Sequence, residues 1–140
     1  MAVAEYNSFI NELGENLNLT LKADETSFIS LQLSESLSVN IQYVEFSDSI
    51  YIFYELGKLD PLALHSTAVT LLKANLFGME TGGGTLALQE DSNIVVFSYS
   101  APLILGNTRL IKIFENTINY AQHWQREIAK ANEELTKKEL

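Results

Sequence analysis

Gly82-Gly83-Gly84 is the stretch of this chain that most invites a chemical reading. Backbone N–H groups of a glycine run can cradle phosphate, but a P-loop needs Lys and then Ser or Thr after its last glycine, and it opens a helix. Here Thr85-Leu86 follows, and the next residues alternate like a strand. No Rossmann spacing is present either, so the run reads as a flexible, tight turn. His65 and His123 lie far apart, with no His-x-x-x-His or His-Glu-x-x-His spacing. A metal would need ligands that nothing supplies, and both read as surface or helix-edge residues. Asp24-Glu25, Glu90-Asp91 and Glu133-Glu134 are paired acids in turn-like or polar stretches. Nothing there separates their pKa values, as acid–base catalysis requires. No serine sits in a nucleophile elbow. The absence of cysteine excludes disulfides, thiolate metal sites and thiol nucleophiles. Trp124 reads as a packing residue on a long amphipathic helix, with a binding role as the alternative. The expectation is therefore no cofactor and no catalytic turnover.

The elements around these residues follow from periodicity. Tyr6, Phe9, Ile10, Leu13 and Leu17 share one helical face, which predicts a helix over 3–16 ending near Gly14 and Asn16. Three strands come next. Ile29, Leu31 and Leu33 alternate with polar residues, as do Leu37, Val39, Ile41 and Tyr43, while Ile50, Ile52 and Tyr54 hold one face of the third. Ser34-Glu35-Ser36 and Ser47-Asp48-Ser49 are the turns between them, short enough for an antiparallel meander. Asp60-Pro61 predicts a second helix start, with the helix running to about Phe77 and Gly78 as its stop. Its apolar face is Leu64, Ala68, Leu71, Leu72 and Leu76. Thr85–Gln89 and Ile94–Tyr99 read as a second hairpin closed by Pro102, and about 103–137 as a long last helix. That helix should fray at its polar end, where Lys137 and Lys138 suit a C-terminus. The order α-β-β-β-α-β-β-α predicts a two-layer α+β fold, one antiparallel sheet with helices on one face, in a single domain spanning 1–140.

Charge narrows the partners. Asp and Glu number 18 against 9 Lys and Arg, a net charge of −9. Residues 1–60 hold ten acids and two lysines. Such a surface repels phosphate backbones and anionic membranes, so neither nucleic acid nor membrane is expected as a partner, whereas a basic polypeptide would be attracted. No apolar run approaches a membrane span, and the N-terminus lacks the pattern of a signal peptide.

The stretch Leu71-Leu72-Lys73-Ala74-Asn75-Leu76-Phe77-Gly78, continuing through Gly82-Gly83-Gly84 to Thr85-Leu86-Ala87-Leu88, resembles the signature of class I type III secretion chaperones, the Tir chaperone family. The likeness lies in a Leu-Leu-x-x-Asn-Leu helix end, a glycine-containing loop and a Leu-x-Leu strand. Glu90-Asp91 matches the acidic turn that follows, Ile94 to Tyr99 the last strand, and the C-terminal segment the long helix. Size, acidity and element order agree over nearly the whole chain. The resemblance implies a homodimer in a bacterial cytoplasm. It would bind the N-terminal region of one or more secreted effectors, hold it extended and secretion-competent, accept a strand from it, and contact the secretion apparatus in some cases. It also implies a dimer interface on the second helix and the fourth strand, with Leu72, Leu76, Leu86 and Leu88 as candidates. The alternative is a small dimeric α+β ligand-binding or regulatory module unrelated to secretion.

An effector-binding surface is expected across 6–54, where apolar and aromatic residues are dense and acid is concentrated. Val44, Phe46, Tyr51 and Phe53 depart from the polar set of their sheet face, and a strand apolar on both faces needs cover on both. Phe9, Leu13, Val44, Phe46 and Phe53 are the anchor candidates.

Overall fold

The computed structural model describes residues 2–139, with side chains from 3 to 135. Helix α1 is Ala2–Leu17, and Tyr6, Phe9, Ile10 and Leu13 on its predicted face are buried. It runs past Gly14 because Asn18, at φ 57, is the left-handed stop. Leu19 N–H donates to the Gly14 carbonyl at 2.8 Å and Asn18 N–H to that of Glu15 at 3.3 Å, the paired bonds of a Schellman end.

Strands β1 (Phe28–Gln32), β2 (Ser38–Val44) and β3 (Ser49–Lys58) form the expected meander. β4 (Thr85–Leu88) and β5 (Ile94–Pro102) form the second hairpin. The sheet is antiparallel throughout, in the order β1-β2-β3-β5-β4, so β5 lies beside β3, and β1 and β4 are edges. Register aligns Leu31, Val39, Tyr54, Phe97 and Leu86 across all five strands on one face. Ser30, Asn40, Phe53, Ser98 and Thr85 align on the other.

Helix α3 (Asn107–Glu139) lies across β3 and β5, and α1 packs beside it. Phe114, Ala121 and Ile128 are buried in this layer against Ile52, Tyr54 and Phe97. Burying each large side chain contributes about 1.5–3 kcal/mol, and this face is where the fold draws its stability. The two tyrosines sunk in it satisfy their hydroxyls. Tyr6 donates to the Ser27 carbonyl at 2.9 Å, and Tyr54 shares a 2.7 Å bond with Thr117. Burial pushes both phenols above their ordinary pKa. The last helix begins at Asn107, after a turn at Leu103–Leu105, and runs to Glu139. The side chains of Lys137 and Lys138 lie outside the described residues.

The second helix departs most from expectation. α2 is Leu64–Ala74, three residues shorter at each end. Asp60 does accept from Leu62 N–H at 2.9 Å, but this closes a turn over 60–63 rather than capping the helix. At the other end Phe77 (φ 56) and Gly78 (φ 66) are both left-handed and break the helix after Ala74.

Candidate binding surfaces

The inward side of α2 is made of small or modest residues: Ala63, just before its first turn, then Thr67, Leu71 and Ala74. Apart from Leu71 and half-buried Leu64, its large residues point the other way. Leu72 is 72% exposed, and Val69, Leu76 and Leu88 of the neighbouring strand are also in solvent. Phe77 (88% exposed) and Met79 extend the strip into the loop. A bulky residue at positive φ costs roughly 1–2 kcal/mol, so Phe77 is held outward by its surroundings.

Those surroundings are polar pins. Asn75 Nδ2 donates to the Leu86 carbonyl and its Oδ1 accepts from Leu86 N–H, both at 2.8 Å, so one side chain ties the helix end to β4. Trp124 Nε1 donates to the Glu80 carbonyl at 3.0 Å, and buried Thr81 donates to that of Gly84 at 2.7 Å. The glycines are packing residues here. A Cβ at Gly82 would stand 2.3 Å from the Tyr120 ring, and one at Gly84 2.4 Å from that of Phe97. The run expected to be flexible is seated tightly on α3 and β5.

A second surface is the sheet face away from the helices. Most of it is Ser, Asn, Gln and Thr. Phe53 is half-buried there beside Phe28, with ring centroids 6.3 Å apart, and Tyr51 is exposed. Val44 is half-buried at the end of β2, and Phe46, in the following turn, is fully exposed.

The sequence candidates divide accordingly. Leu72, Leu76 and Leu88 are exposed on the α2 strip. Leu86 is not. It is buried under α2, because alternation in β4 turns it to the helices. Val44, Phe46 and Phe53 are accessible, whereas Phe9 and Leu13 are fully buried between α1 and the sheet and α3. Those two are core residues and not anchors. Phe77, Met79 and Ile104 were missed. Two large apolar residues beside a glycine-rich turn, and three consecutive apolar residues at Leu103–Leu105, were the available signals.

His65 and His123 are exposed. Trp124 is buried, in its packing role. Among the described residues no cluster of three or more His, Asp or Glu is placed to hold a metal. No described helix is long and apolar enough to cross a membrane. The seam between α2 and α3 carries open-sided grooves of about 390 and 550 Å³, lined by residues such as Thr70, Trp124 and Glu127.

A two-layer α+β domain that holds large apolar side chains in solvent, with β1 as an edge strand and, among the described residues, no cluster placed to hold a metal, has the makings of a protein-binding module. The chain belongs to the Tir chaperone protein (CesT) family, whose model matches residues 8–125. A Chlamydia pneumoniae protein, CPj0713/CpB0740, is 31% identical over 109 residues, covering 75% of this chain and 80% of that one. Among solved structures the chain is similar to one from the ExsC–ExsE complex (TM-score 0.73, 16% identity, 89% of this chain and 94% of that one). It is similar also to one from the HopA1–SchA chaperone–effector complex (0.71, 12%, 90% and 94%). A third is from the complex of the Yersinia pestis type III secretion chaperone SycH with a fragment of YscM2 (0.68, 18%, 84% and 98%). At these identities the structural likeness is one of fold. The family read from Leu71–Leu88 is thus borne out.

Proposed function

We propose that this protein is a type III secretion chaperone of the bacterial cytoplasm. It binds the N-terminal segment of one or more effectors, keeps it extended and soluble, and catalyses nothing. The observation that carries this reading is the set of large apolar side chains held in solvent by a well-packed fold, in a chain of a chaperone family. A non-globular client offers apolar side chains and unpaired backbone groups. Val44, Phe46 and Phe53 are placed to take the side chains, and the free edge of β1 can take the backbone by strand addition. Complexes such as HopA1–SchA, described as chaperone with effector, support the same role.

The α2 strip serves a different contact. Leu72, Leu76 and Leu88, continued by Phe77, form the homodimer interface, and Leu86 supports it from beneath. Co-expression with N-terminal fragments of the secreted proteins of the same bacterium tests the whole reading. One fragment should co-purify and stay soluble only with the chaperone, and recovery of none would refute it. Light scattering tests the dimer: wild type should show twice the chain mass and Leu72→Asp/Leu76→Asp the chain mass. A wild-type monomer at micromolar concentration would remove the interface.

A further inference from the structure

One end of the domain continues from the second surface and shares Phe46 with it. There the turn Glu45–Ser47, between β2 and β3, meets the turn Leu103–Leu105, between β5 and α3. Leu103 N–H donates to the Asp48 carbonyl at 3.0 Å, and Ser49 pairs with Pro102, so the two turns are fixed side by side. Each projects one large apolar side chain into water: Phe46, fully exposed, and Ile104, 87% exposed.

Ile104 also stands at a groove of about 320 Å³ between α1 and the start of α3, with Glu5, Ser8 and Asn107 in its walls. A second groove of about 520 Å³ continues along α1, past Glu12 and Glu15. Ser8 and Asn107 line both and bond to each other at 3.1 Å, from Asn107 Nδ2 to Ser8 Oγ, so the two grooves meet at that pair in a path along α1. No Lys or Arg lines it. One carboxylate oxygen of Glu12 is buried with no hydrogen-bond partner. At the apolar end, Asp48 accepts from the Tyr43 hydroxyl at 3.0 Å. Burial, that bond and the charges of Asp48, Glu45 and Glu5 together push the Tyr43 phenol up.

We propose that this path is a docking groove for a basic segment of the client, one apolar residue seated against Phe46 and Ile104 and Lys or Arg residues running along Glu5 and Glu12. The proposal rests on the chaperone reading and adds the chemistry of the bound segment. Charge selects the occupant: an apolar pair at the head of an acid-lined groove suits an apolar residue followed by cations. Spacing sharpens it. Glu5 and Glu12 are seven residues apart, about 10.5 Å along a helix. About three residues of extended chain cover that distance, and flexible Arg stems absorb the alternation of side-chain direction. The segment therefore carries its bases about three residues apart.

The test is fluorescence anisotropy of the full chain with a labelled ten-residue peptide. It carries one Leu, with Arg three and six residues further on, and a twin carries Glu for both Arg. The Arg peptide should bind and its twin should be about tenfold weaker or worse. Glu5→Gln/Glu12→Gln should cost about tenfold, and Phe46→Ser/Ile104→Ser about thirtyfold. His65→Gln, at an exposed residue outside both surfaces, should change neither. Thermal melting checks each variant, with Phe46→Ala/Ile104→Ala replacing any that melts early. Equal binding of the two peptides, or an Arg peptide indifferent to Glu5→Gln/Glu12→Gln, overturns the proposal. So does a change of molecular mass on Phe46→Ser/Ile104→Ser, which would assign the tip to a second copy. A client fragment that binds the Glu5→Gln/Glu12→Gln chain as tightly as wild type refutes the groove and leaves the chaperone reading standing. Failure of the wild type to capture any such fragment refutes that reading itself.

Discussion

Helices α1 and α2 carry apolar residues at the same spacing and use them in opposite ways. On α1 the large residues Tyr6, Phe9, Ile10 and Leu13 all go into the core, and the polar remainder faces water. On α2 the core side is built from Thr67, Leu71 and Ala74, while Val69 and Leu72 go to solvent. α2 thus rests on a smaller apolar contact, centred on Leu71, and the two bonds from Asn75 to Leu86 tie its end to β4. Amphipathic spacing thus locates a face without saying whether that face meets the protein's own sheet or another molecule.

Three substitutions test this contrast. Phe9→Ala should have the largest effect, a loss of about 3–5 kcal/mol in denaturant unfolding, because it leaves a cavity under α1. A loss below 1 kcal/mol would mean that α1 is not the anchored helix of the pair. Asn75→Ala should cost about 1–3 kcal/mol, since it strands the N–H and carbonyl of Leu86. Hydrogen exchange should then quicken at Leu86 and its β4 neighbours before it does in β2 and β3. Uniform quickening would show that Asn75 is not a local pin. Leu72→Ser should have the smallest effect. Below the concentration at which protomers associate, it should shift unfolding by less than about 0.5 kcal/mol. A larger loss would place Leu72 in the core with the α1 residues.

The parts of the fold legible in the sequence are those where one local rule decides. Ile29 and Leu31, Val39, Ile41 and Tyr43, and Ile50, Ile52 and Tyr54 alternate because one sheet face is covered, and they lie as expected. The family motif at Leu71–Leu88 was legible for the same reason, since Asn75 and the glycines are tied to local geometry. Other features needed the third dimension. Phe9 and Leu13 obey a pattern that fits an anchor and a core residue equally well. Only the packing of α1 against α3 and, through Tyr6 on Tyr43, against β2 decides between them. Phe77 at positive φ defies its own backbone preference, and tertiary bonds at Asn75 and Trp124 impose it. The insertion of β5 between β3 and β4 left no local trace. The tip was half legible: Phe46 stood out among the polar turn residues, but Ile104 became its neighbour only through the pairing of Ser49 with Pro102.

Among the described residues a single ion pair, Lys130 with Glu127 at 3.4 Å, stands against this chain's eighteen acidic side chains. The net charge of −9 stands whatever the pairing, and two protomers that associate bring like charges together. Dissolved salt shortens the reach of those charges to about 10 Å at 0.1 M, which relieves the repulsion between protomers. The same screening weakens the attraction of an acid-lined groove for a basic segment. For the proposed dimer and groove, ionic strength should thus move self-association and client capture in opposite directions. The balance between them follows from the net charge of −9.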